Sequence, residues 1–222
     1  ASEHPTPQAE QLLRRVADID IVTDRGIGLP GDLLTTDAMA VVNDPAVDIV
    51  VELIGGTGAA KKFVLAALAA GKAVVTANKK LLAECGEEIF GAAERNGVDI
   101  YFGASVGGGI PIVRVLREGL AGNEINSIHG ILNGTCNHIL TCMEQEGVAF
   151  GKALAAAQQA GYAEADPALD IDGGDTAHKA VILASLAYGF HVPLSQVAVE
   201  GIRNLAGMDV RYAADLGYRI KL

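Results

Sequence analysis

Hydrophobic positions in the first hundred residues follow two alternating patterns. Residues 47–54 (VDIVVELI) form a mostly apolar, β-branched run, which is typical of a strand covered on both faces of a parallel sheet. Residues 59–70 carry Ala and Leu at helical spacing, and Gly71 is a suitable stop. The alternation continues with a strand at 73–76, a helix at 79–96 and a strand at 98–102. The short connections predict an α/β fold with a parallel sheet, half of a doubly wound, Rossmann-like arrangement.

The pattern changes after Gly103. A glycine-rich stretch, ASVGGGIP, precedes a predicted helix at 111–120, and residues 124–132 alternate as a strand would. Further helices are predicted at 135–144, 151–160 and 175–188, and the tail at 211–222 predicts a short helix and a last strand. We therefore predict two domains. Residues 1–103 form a partial dinucleotide-binding domain, and residues 104–222 form an α+β domain for substrate binding, catalysis and dimerisation.

Composition and charge narrow the function classes. The 222 residues are 50% hydrophobic and 20% charged with a formal net charge of −10, so a nucleic-acid backbone or an anionic membrane is not expected as partner. The longest apolar runs are shorter than the roughly 20 residues of a membrane helix, and the polar start lacks the apolar core of a signal peptide. Three cysteines without CxxC spacing suggest reduced thiols. We expect a cytoplasmic protein.

A glycine motif near the start invites a dinucleotide interpretation. Gly26, Gly28 and Gly31 match the spacing of a phosphate-binding loop, but no helix pattern opens directly after them. We interpret them as a turn-rich connector and expect the first strand and its phosphate loop to be missing or unrecognisable. Asp18, near the end of a strand predicted at 15–19, is equally suited to bind an adenosine ribose or to be a solvated acid. Three nearby arginines favour a 2′-phosphate instead, so NAD and NADP both remain open: Arg14, Arg15 and Arg25.

Acids, glycines and one lysine crowd residues 157–179 (AQQAGYAEADPALDIDGGDTAHK). Asp175 and Lys179 are four apart at the start of an apolar helix, so they share one face. Spacing alone favours an ordinary exposed ion pair. The apolar helix after Lys179 places its ammonium at a cleft instead, where it is suited to donate a proton to an oxygen that gains negative charge. The residues themselves indicate an acid-lined polar site with one lysine.

This stretch resembles the signature of the homoserine dehydrogenase family. The matching positions run from Ala157 through Gly161-Tyr162, Asp166-Pro167, Asp170-Ile171 and Gly173 to Asp175 and Lys179. Three other segments agree in order: DIVVELIGG at 48–56, TANKK at 76–80 and GILNGTCNHIL at 130–140. The resemblance covers nearly all of the chain from about residue 16.

The resemblance implies a reaction and roles. It implies NAD- or NADP-dependent interconversion of L-aspartate 4-semialdehyde and L-homoserine, a step in threonine, methionine and isoleucine biosynthesis. Lys179 is then the proton donor, Lys79 a second catalytic lysine near the nicotinamide, and Asp175, with Glu164, the substrate-binding acid. The same resemblance assigns four further cofactor contacts: Ile54, Gly55, Gly56 and Gly161. The turn at 133–135 is expected beside the site, with Thr135 available as the helix N-cap.

The resemblance leaves several points open. The family often holds a monovalent cation, Na⁺ or K⁺, on backbone carbonyls, which here are those of Val106, Gly108 and Ile110. Gly103 stands where an acidic ligand is expected, which puts the ion in question. A homodimer is the family expectation. Two alternatives compete with the enzyme: a truncated, non-catalytic module of the same family, and a Rossmann-type reductase for another small aldehyde.

Overall fold

A computed structural model describes residues 12–222, which fold around parallel strands. β1 (Val16–Ala17) pairs with β2 (Leu34–Thr35), and a separate three-stranded sheet has the order β3-β4-β5. All of these pairings are parallel. β4 (Ala73–Thr76) has the predicted bounds, whereas β3 (Ile49–Glu52) and β5 (Ile100–Tyr101) are shorter than the runs predicted at 47–54 and 98–102. The α/β class predicted from the sequence is confirmed.

Helices connect and follow the strands. In chain order they are α1 (Ala38–Asn43), α2 (Ala59–Ala69), α3 (Lys79–Asn96), α4 (Ile112–Arg114), α5 (Gly134–Glu146), α6 (Phe150–Gln159), α7 (Ala168–Ile171), α8 (Gly174–Tyr188) and α9 (Gly207–Asp215). Short 3₁₀ turns lie at Gly31–Leu33, Gly103–Ser105 and Leu194–Gln196. The helices predicted at 59–70, 79–96, 135–144, 151–160 and 175–188 agree with the observed ones to within two residues at each end.

The starts of three helices position the site. α3 begins directly after β4, and the Asn78 side chain accepts the Leu81 N–H as its N-cap. α5 begins at the Asn133 cap. α8 begins after Gly173, whose φ of +86° is in the left-handed region that favours glycine and lets the chain turn sharply out of α7. The Asn78 cap and the Gly173 turn therefore fix the backbone from which the first-turn side chains of α3 and α8 project.

Two apolar cores are buried. The first lies between the larger sheet and α2 and α3, and it extends past Gly103 to include Val106, Val113, Ile182 and Leu183. The second is formed mainly by α5, α6 and α9, with Ile171 from α7. The second half of α8 thus packs into the first core, while its N-terminus follows α7 of the second. The start of α8 therefore lies where the two cores meet.

Three predictions for the second half are corrected. Residues 124–132 form no strand, because no described backbone group outside the segment pairs with them. The helix predicted at 111–120 is divided between α4 and a π-helical stretch at Val115–Gly119, where Leu120 N–H bonds the carbonyl of Val115 five residues back. The tail forms α9 but no last strand. Instead Leu222 pairs with the Asn137 side-chain amide, which supplies both the donor and the acceptor that a strand partner would have provided.

Within residues 12–222, no helix combines the length and the apolar character that a membrane crossing requires. All three cysteines are free thiols: Cys85, Cys136 and Cys142.

Candidate active site

A buried carboxylate between two lysines forms the centre of the candidate site. Asp175, only 3% exposed, lies in the first turn of α8. Its Oδ2 accepts a hydrogen bond from Lys179 Nζ at 2.7 Å, and its Oδ1 lies 3.1 Å from Lys79 Nζ. The expected contact between Asp175 and Lys179 is therefore present. The structure also brings the third predicted residue, Lys79, to the same carboxylate.

The two lysines reach Asp175 from different elements. Lys79 is the first residue of α3, and Lys179 lies one turn after Asp175 on α8. The Lys179 side chain is 18% exposed and that of Lys79 is 34% exposed, so neither is an ordinary surface lysine. Lys179 Nζ also donates to the carbonyl of Leu132 at 2.7 Å. The Lys179 ammonium is thus fixed by two acceptors beside a partly open space.

Asn133 is a site residue whose role the sequence interpretation missed. Its Oδ1 accepts the Cys136 N–H and caps α5, so the prediction of Thr135 as the cap was wrong. Its Nδ2 donates to Asp170 Oδ1 at 2.7 Å and to Asp175 Oδ2 at 2.8 Å. An Asn three residues before an apolar helix position is a recognisable cap signal, and Asn caps as well as Thr or better. The bridge to two acids has no signal in the local sequence.

The charges around Asp175 keep it ionised. Burial opposes ionisation, but hydrogen bonds from Lys179 and Asn133, the charge of Lys179 and the contact with Lys79 outweigh it and hold the pKa of Asp175 below its ordinary value. One buried negative charge therefore faces two ammonium groups. The excess positive charge suits the binding of an oxygen that becomes negative during a reaction.

A buried histidine lies behind this group. His178 is 4% exposed, and its Nε2 is 3.4 Å from Glu84 Oε1 of α3. Burial lowers the pKa of His178 although Glu84 acts in the opposite direction, so the environment favours the neutral ring. The contact joins α8 to α3 close to Lys79 and Lys179.

The loop predicted to contact a cofactor follows β3. Gly55 and Gly56 have φ of +81° and +69°, and a Cβ atom at either would meet nothing within 4 Å. Ile54 is 57% exposed. The Asn78 side chain donates to the carbonyl of Gly56 at 2.7 Å, so this loop adjoins the start of α3 and Lys79. The open, glycine-flanked surface predicted to contact the cofactor therefore lies close to Lys79.

Two other predicted residues are not bonded to the lysines in the described part of the chain. Gly161 lies just after α6 and has a φ of +75°, and a Cβ atom there would meet nothing within 4 Å. Glu164 is exposed, and its carbonyl accepts a hydrogen bond from Gln158 at 3.0 Å. Within the described part of the chain, no hydrogen bond or ion pair joins either residue to Asp175, Lys79 or Lys179. Their roles stay predictions.

The loop predicted to offer carbonyls to a cation is tightly turned. Gly107 and Gly109 have φ of +64° and +78°. No backbone N–H of residues 12–222 bonds the carbonyls of Val106 or Gly108, whereas that of Ile110 accepts the Ile112 N–H at 2.8 Å. No group of three or more His, Cys, Asp or Glu residues in the described part could hold a metal. Neutral carbonyl oxygens are therefore the ligands that this loop presents.

The segment with the GxGxxG spacing does not lead into an α-helix. Gly31 begins a 3₁₀ turn that runs into β2, which is the connector that the sequence predicted. Asp18, considered for a ribose contact, is 3.5 Å from Arg25 Nη2, and that guanidinium is also 3.8 Å from Asp20. Asp18 would favour the ribose of NAD, and Arg25 would favour the 2′-phosphate of NADP. Because these two side chains pair with each other, the choice between NAD and NADP stays open.

Comparison with known proteins gives the family. A family model described as homoserine dehydrogenase matches residues 111–222, and one described as the homoserine dehydrogenase NAD-binding domain matches residues 3–103. The chain is 52% identical over 222 residues to the homoserine dehydrogenase of Synechocystis, covering 97% of this chain and 51% of that protein.

Solved structures agree with this comparison. A homoserine dehydrogenase from Thiobacillus denitrificans superposes with a TM-score of 0.89 and 51% identity, covering 94% of this chain and 48% of the other. A hyperthermophilic archaeal homoserine dehydrogenase, solved in complex with NADPH, superposes with a TM-score of 0.70 and 34% identity over 76% of this chain and 52% of that one. The chain spans about half the length of the relatives that it matches. These matches show that the chain belongs to the homoserine dehydrogenase family.

Proposed function

We propose that the protein represented by this chain interconverts L-aspartate 4-semialdehyde and L-homoserine with NAD or NADP. The observation that carries the proposal is the ionised Asp175 held between Lys179 and Lys79. Carbonyl reduction places negative charge on an oxygen, and a fixed ammonium beside that oxygen stabilises the charge and supplies a proton. Lys179 suits this role, because its Nζ is fixed by Asp175 and the Leu132 carbonyl and its side chain is still partly exposed.

The nicotinamide supplies the hydride chemistry when it is bound. Ile54, Gly55 and Gly56 are proposed to contact it, with Gly161 as a further contact. Lys79 begins α3 beside this loop and touches Asp175, so we assign it to the boundary between cofactor and substrate. The NADPH bound to the archaeal relative supports a nicotinamide cofactor here and leaves its 2′-position undecided.

The two acids are proposed to divide the work of holding the substrate. Asp175 already accepts bonds from Lys79, Lys179 and Asn133, so its charge is largely balanced within the protein. Asp175 therefore orients the two lysines and accepts a hydrogen bond from the substrate hydroxyl. Glu164 is exposed and has no ion pair among the described residues, which leaves its carboxylate available for the α-ammonium group.

Replacing Lys179 tests the assignment. Lys179→Ala should lower kcat for homoserine oxidation by about 10²–10⁴-fold, the usual contribution of a positioned proton donor. The control is the adjacent lysine, in the variant Lys80→Ala. The Lys80 side chain is 47% exposed, and its Nζ makes only a long contact of 4.0 Å with Glu84 Oε1, so this variant should keep kcat close to the parent value. Steady-state kinetics, with urea denaturation as a check on folding, gives both values. A near-normal kcat for Lys179→Ala with an intact fold would rule out the proton-donor role.

Two alternatives remain distinguishable. A truncated module that does not hold a dinucleotide would show no NADPH binding in a fluorescence titration, and intact-mass measurement would show which polypeptide was tested. A reductase for another small aldehyde would turn over that aldehyde and leave aspartate semialdehyde unreacted. We also propose that the protein forms a homodimer, which sedimentation velocity would test. As a biosynthetic enzyme, it is proposed to be cytoplasmic.

We further propose that the carbonyls of Val106, Gly108 and Ile110 are the ligands available to a Na⁺ or K⁺ ion. Carbonyl oxygens suit such hard cations. Gly103 brings no carboxylate, and a Cβ there would meet nothing within 4 Å. An ion held by neutral oxygens alone is expected to bind weakly.

A further inference from the structure

We propose that Glu52, Thr76 and Asn78 are positioning residues that hold the loop of residues 54–56 and Lys79 in one fixed arrangement. The inference rests on the proposed function, because it takes this loop as the nicotinamide contact and Lys79 as part of the reacting centre. We call the three side chains the loop clamp.

Glu52 fixes the shape of the loop. It is the last residue of β3 and only 3% exposed. Its Oε1 accepts the N–H groups of Ile54 at 2.8 Å and Gly55 at 3.0 Å. Both amides therefore point to a carboxylate inside the protein and are not free to bind a phosphate. A loop with its donors occupied and a negative charge beneath it suits a neutral or cationic ring better than an anion.

Thr76 connects this carboxylate to the next strand. It ends β4, is the register partner of Glu52 in the parallel sheet and is 1% exposed. Its hydroxyl donates to Glu52 Oε2 at 2.6 Å and accepts the N–H of Asn78 at 3.0 Å. One hydroxyl thus links the end of β3 to Asn78, the residue that caps α3.

Asn78 uses both ends of its side-chain amide. Oδ1 accepts the Leu81 N–H at 3.1 Å and caps α3, while Nδ2 donates to the Gly56 carbonyl at 2.7 Å. Because the amide is one rigid plane, the loop cannot move away without disturbing the first turn of the helix. Lys79 is the first residue of that turn, and its Nζ lies 3.1 Å from Asp175. The loop clamp therefore connects the proposed cofactor surface to the lysine.

A purely stabilising role would involve the same contacts, so the test uses matched pairs. Thr76→Val removes the hydroxyl at nearly constant volume, whereas Thr76→Ser keeps the hydroxyl and removes only the methyl group. Asn78→Ser keeps a capping oxygen but cannot reach Gly56. Its control is Asn96→Ser, which removes a comparable side-chain bond, to the Ala92 carbonyl, at the other end of α3.

Two measurements on the unliganded chain report the arrangement. Amide hydrogen exchange at Ile54 and Gly55 should be about tenfold faster in Thr76→Val, because the Glu52 carboxylate that accepts these two N–H groups is then no longer held by the Thr76 hydroxyl. In Thr76→Ser the exchange rate should stay close to that of the parent. Acetylation of Lys79 relative to Lys80, read by mass spectrometry, should increase in Thr76→Val and Asn78→Ser. Asn96→Ser should leave that ratio unchanged even where it lowers stability in urea.

The proposal fails if the Lys79-to-Lys80 ratio is the same in Thr76→Val, Asn78→Ser and Asn96→Ser. It also fails if Thr76→Ser behaves like Thr76→Val. Neither measurement needs turnover, so an inactive parent protein would count against the proposed function and leave the loop clamp to be judged independently. In an active enzyme, Asn78→Ser should reduce kcat more than it raises the KM for homoserine, because it misplaces Lys79 and leaves Glu164 in place.

Discussion

Asp175 illustrates how a single buried charge is made tolerable. Taking a carboxylate out of water is costly unless cations and hydrogen bonds replace the lost solvation. Here two ammonium groups and the Asn133 amide replace it, and they come from three segments of the chain. The same contacts that keep the acid ionised also aim the lysines. The stability of this centre and the chemistry proposed for it thus depend on the same atoms.

Asp175→Asn should therefore destabilise the fold in a pH-dependent way. At pH 7 the free energy of unfolding should fall by about 3 kcal/mol, because two partly buried ammonium groups lose their counter-ion. The folded-state pKa of Asp175 is lowered, so its contribution is fully present above the unfolded value of about 3.9 and is lost as the pH falls through the folded value. Urea denaturation at pH 7, 5 and 3 should show the difference from the parent shrinking at pH 3. The exposed-pair control Glu118→Gln should change little at any pH. Equal losses at pH 7 and pH 3 would contradict this account.

Local spacing predicted only part of this centre. Asp175 and Lys179 are four residues apart on a helix, so their contact follows from helical geometry alone. Lys79 was identified through the family resemblance, because nearly a hundred residues separate it from Asp175. Neither Asn133 as a bridge nor Glu52 as a loop anchor was predicted. Their bonds depend on which segments meet in three dimensions, and side-chain type at one position does not encode that.

At the scale of elements, helices were more predictable than strands. A helix satisfies its own backbone, so a periodic apolar face with a cap is sufficient evidence for α3 or α8. A strand needs a partner, and residues 124–132 alternate correctly yet no described strand pairs with their backbone. The junction between α7 and α8 shows a further constraint. The segment containing Gly201 crosses it, and Ile202 N–H bonds the Ile171 carbonyl at 2.8 Å.

Gly201→Ala tests how tightly these elements pack. A Cβ at this position would lie 2.2 Å from the Ile171 oxygen and 2.5 Å from Asp172 Cα, so the backbone must shift. We expect a loss of about 1–3 kcal/mol in the free energy of unfolding. Gly207→Ala, at a site where a Cβ meets nothing within 4 Å, serves as the matched control and should change stability by less than about 1 kcal/mol. Thermal or urea denaturation measures both, and equal effects would show that the crossing is not close-packed.

At the scale of the whole molecule, the two cores are connected through α8 and the polar group at its start. Ile182 and Leu183 of α8 belong to the first core, and Ile171 of α7 to the second. Asn133 joins these regions, because it caps α5 and donates to Asp170 of α7 and Asp175 of α8. The catalytic centre proposed here is therefore also a structural joint between the cores.

Asn133→Ser should weaken that joint selectively. Serine keeps an oxygen that can cap α5 but cannot reach both acids, so the two cores should unfold less cooperatively. Hydrogen exchange of Val74 in the first core and Ile139 in the second should report one opening free energy in the parent chain and two different values in the variant. The urea m value of the main transition should fall as well, because each step exposes less surface. The control Asn137→Ser removes the pairing with Leu222 and the bond to the Asn133 carbonyl, but it leaves the side-chain bonds from Asn133 to Asp170 and Asp175 in place. It acts inside the second core and should lower the urea midpoint without separating the exchange of Val74 and Ile139. If Val74 and Ile139 still exchange with one opening free energy in Asn133→Ser, packing along α8 alone couples the cores and the polar group serves only the site.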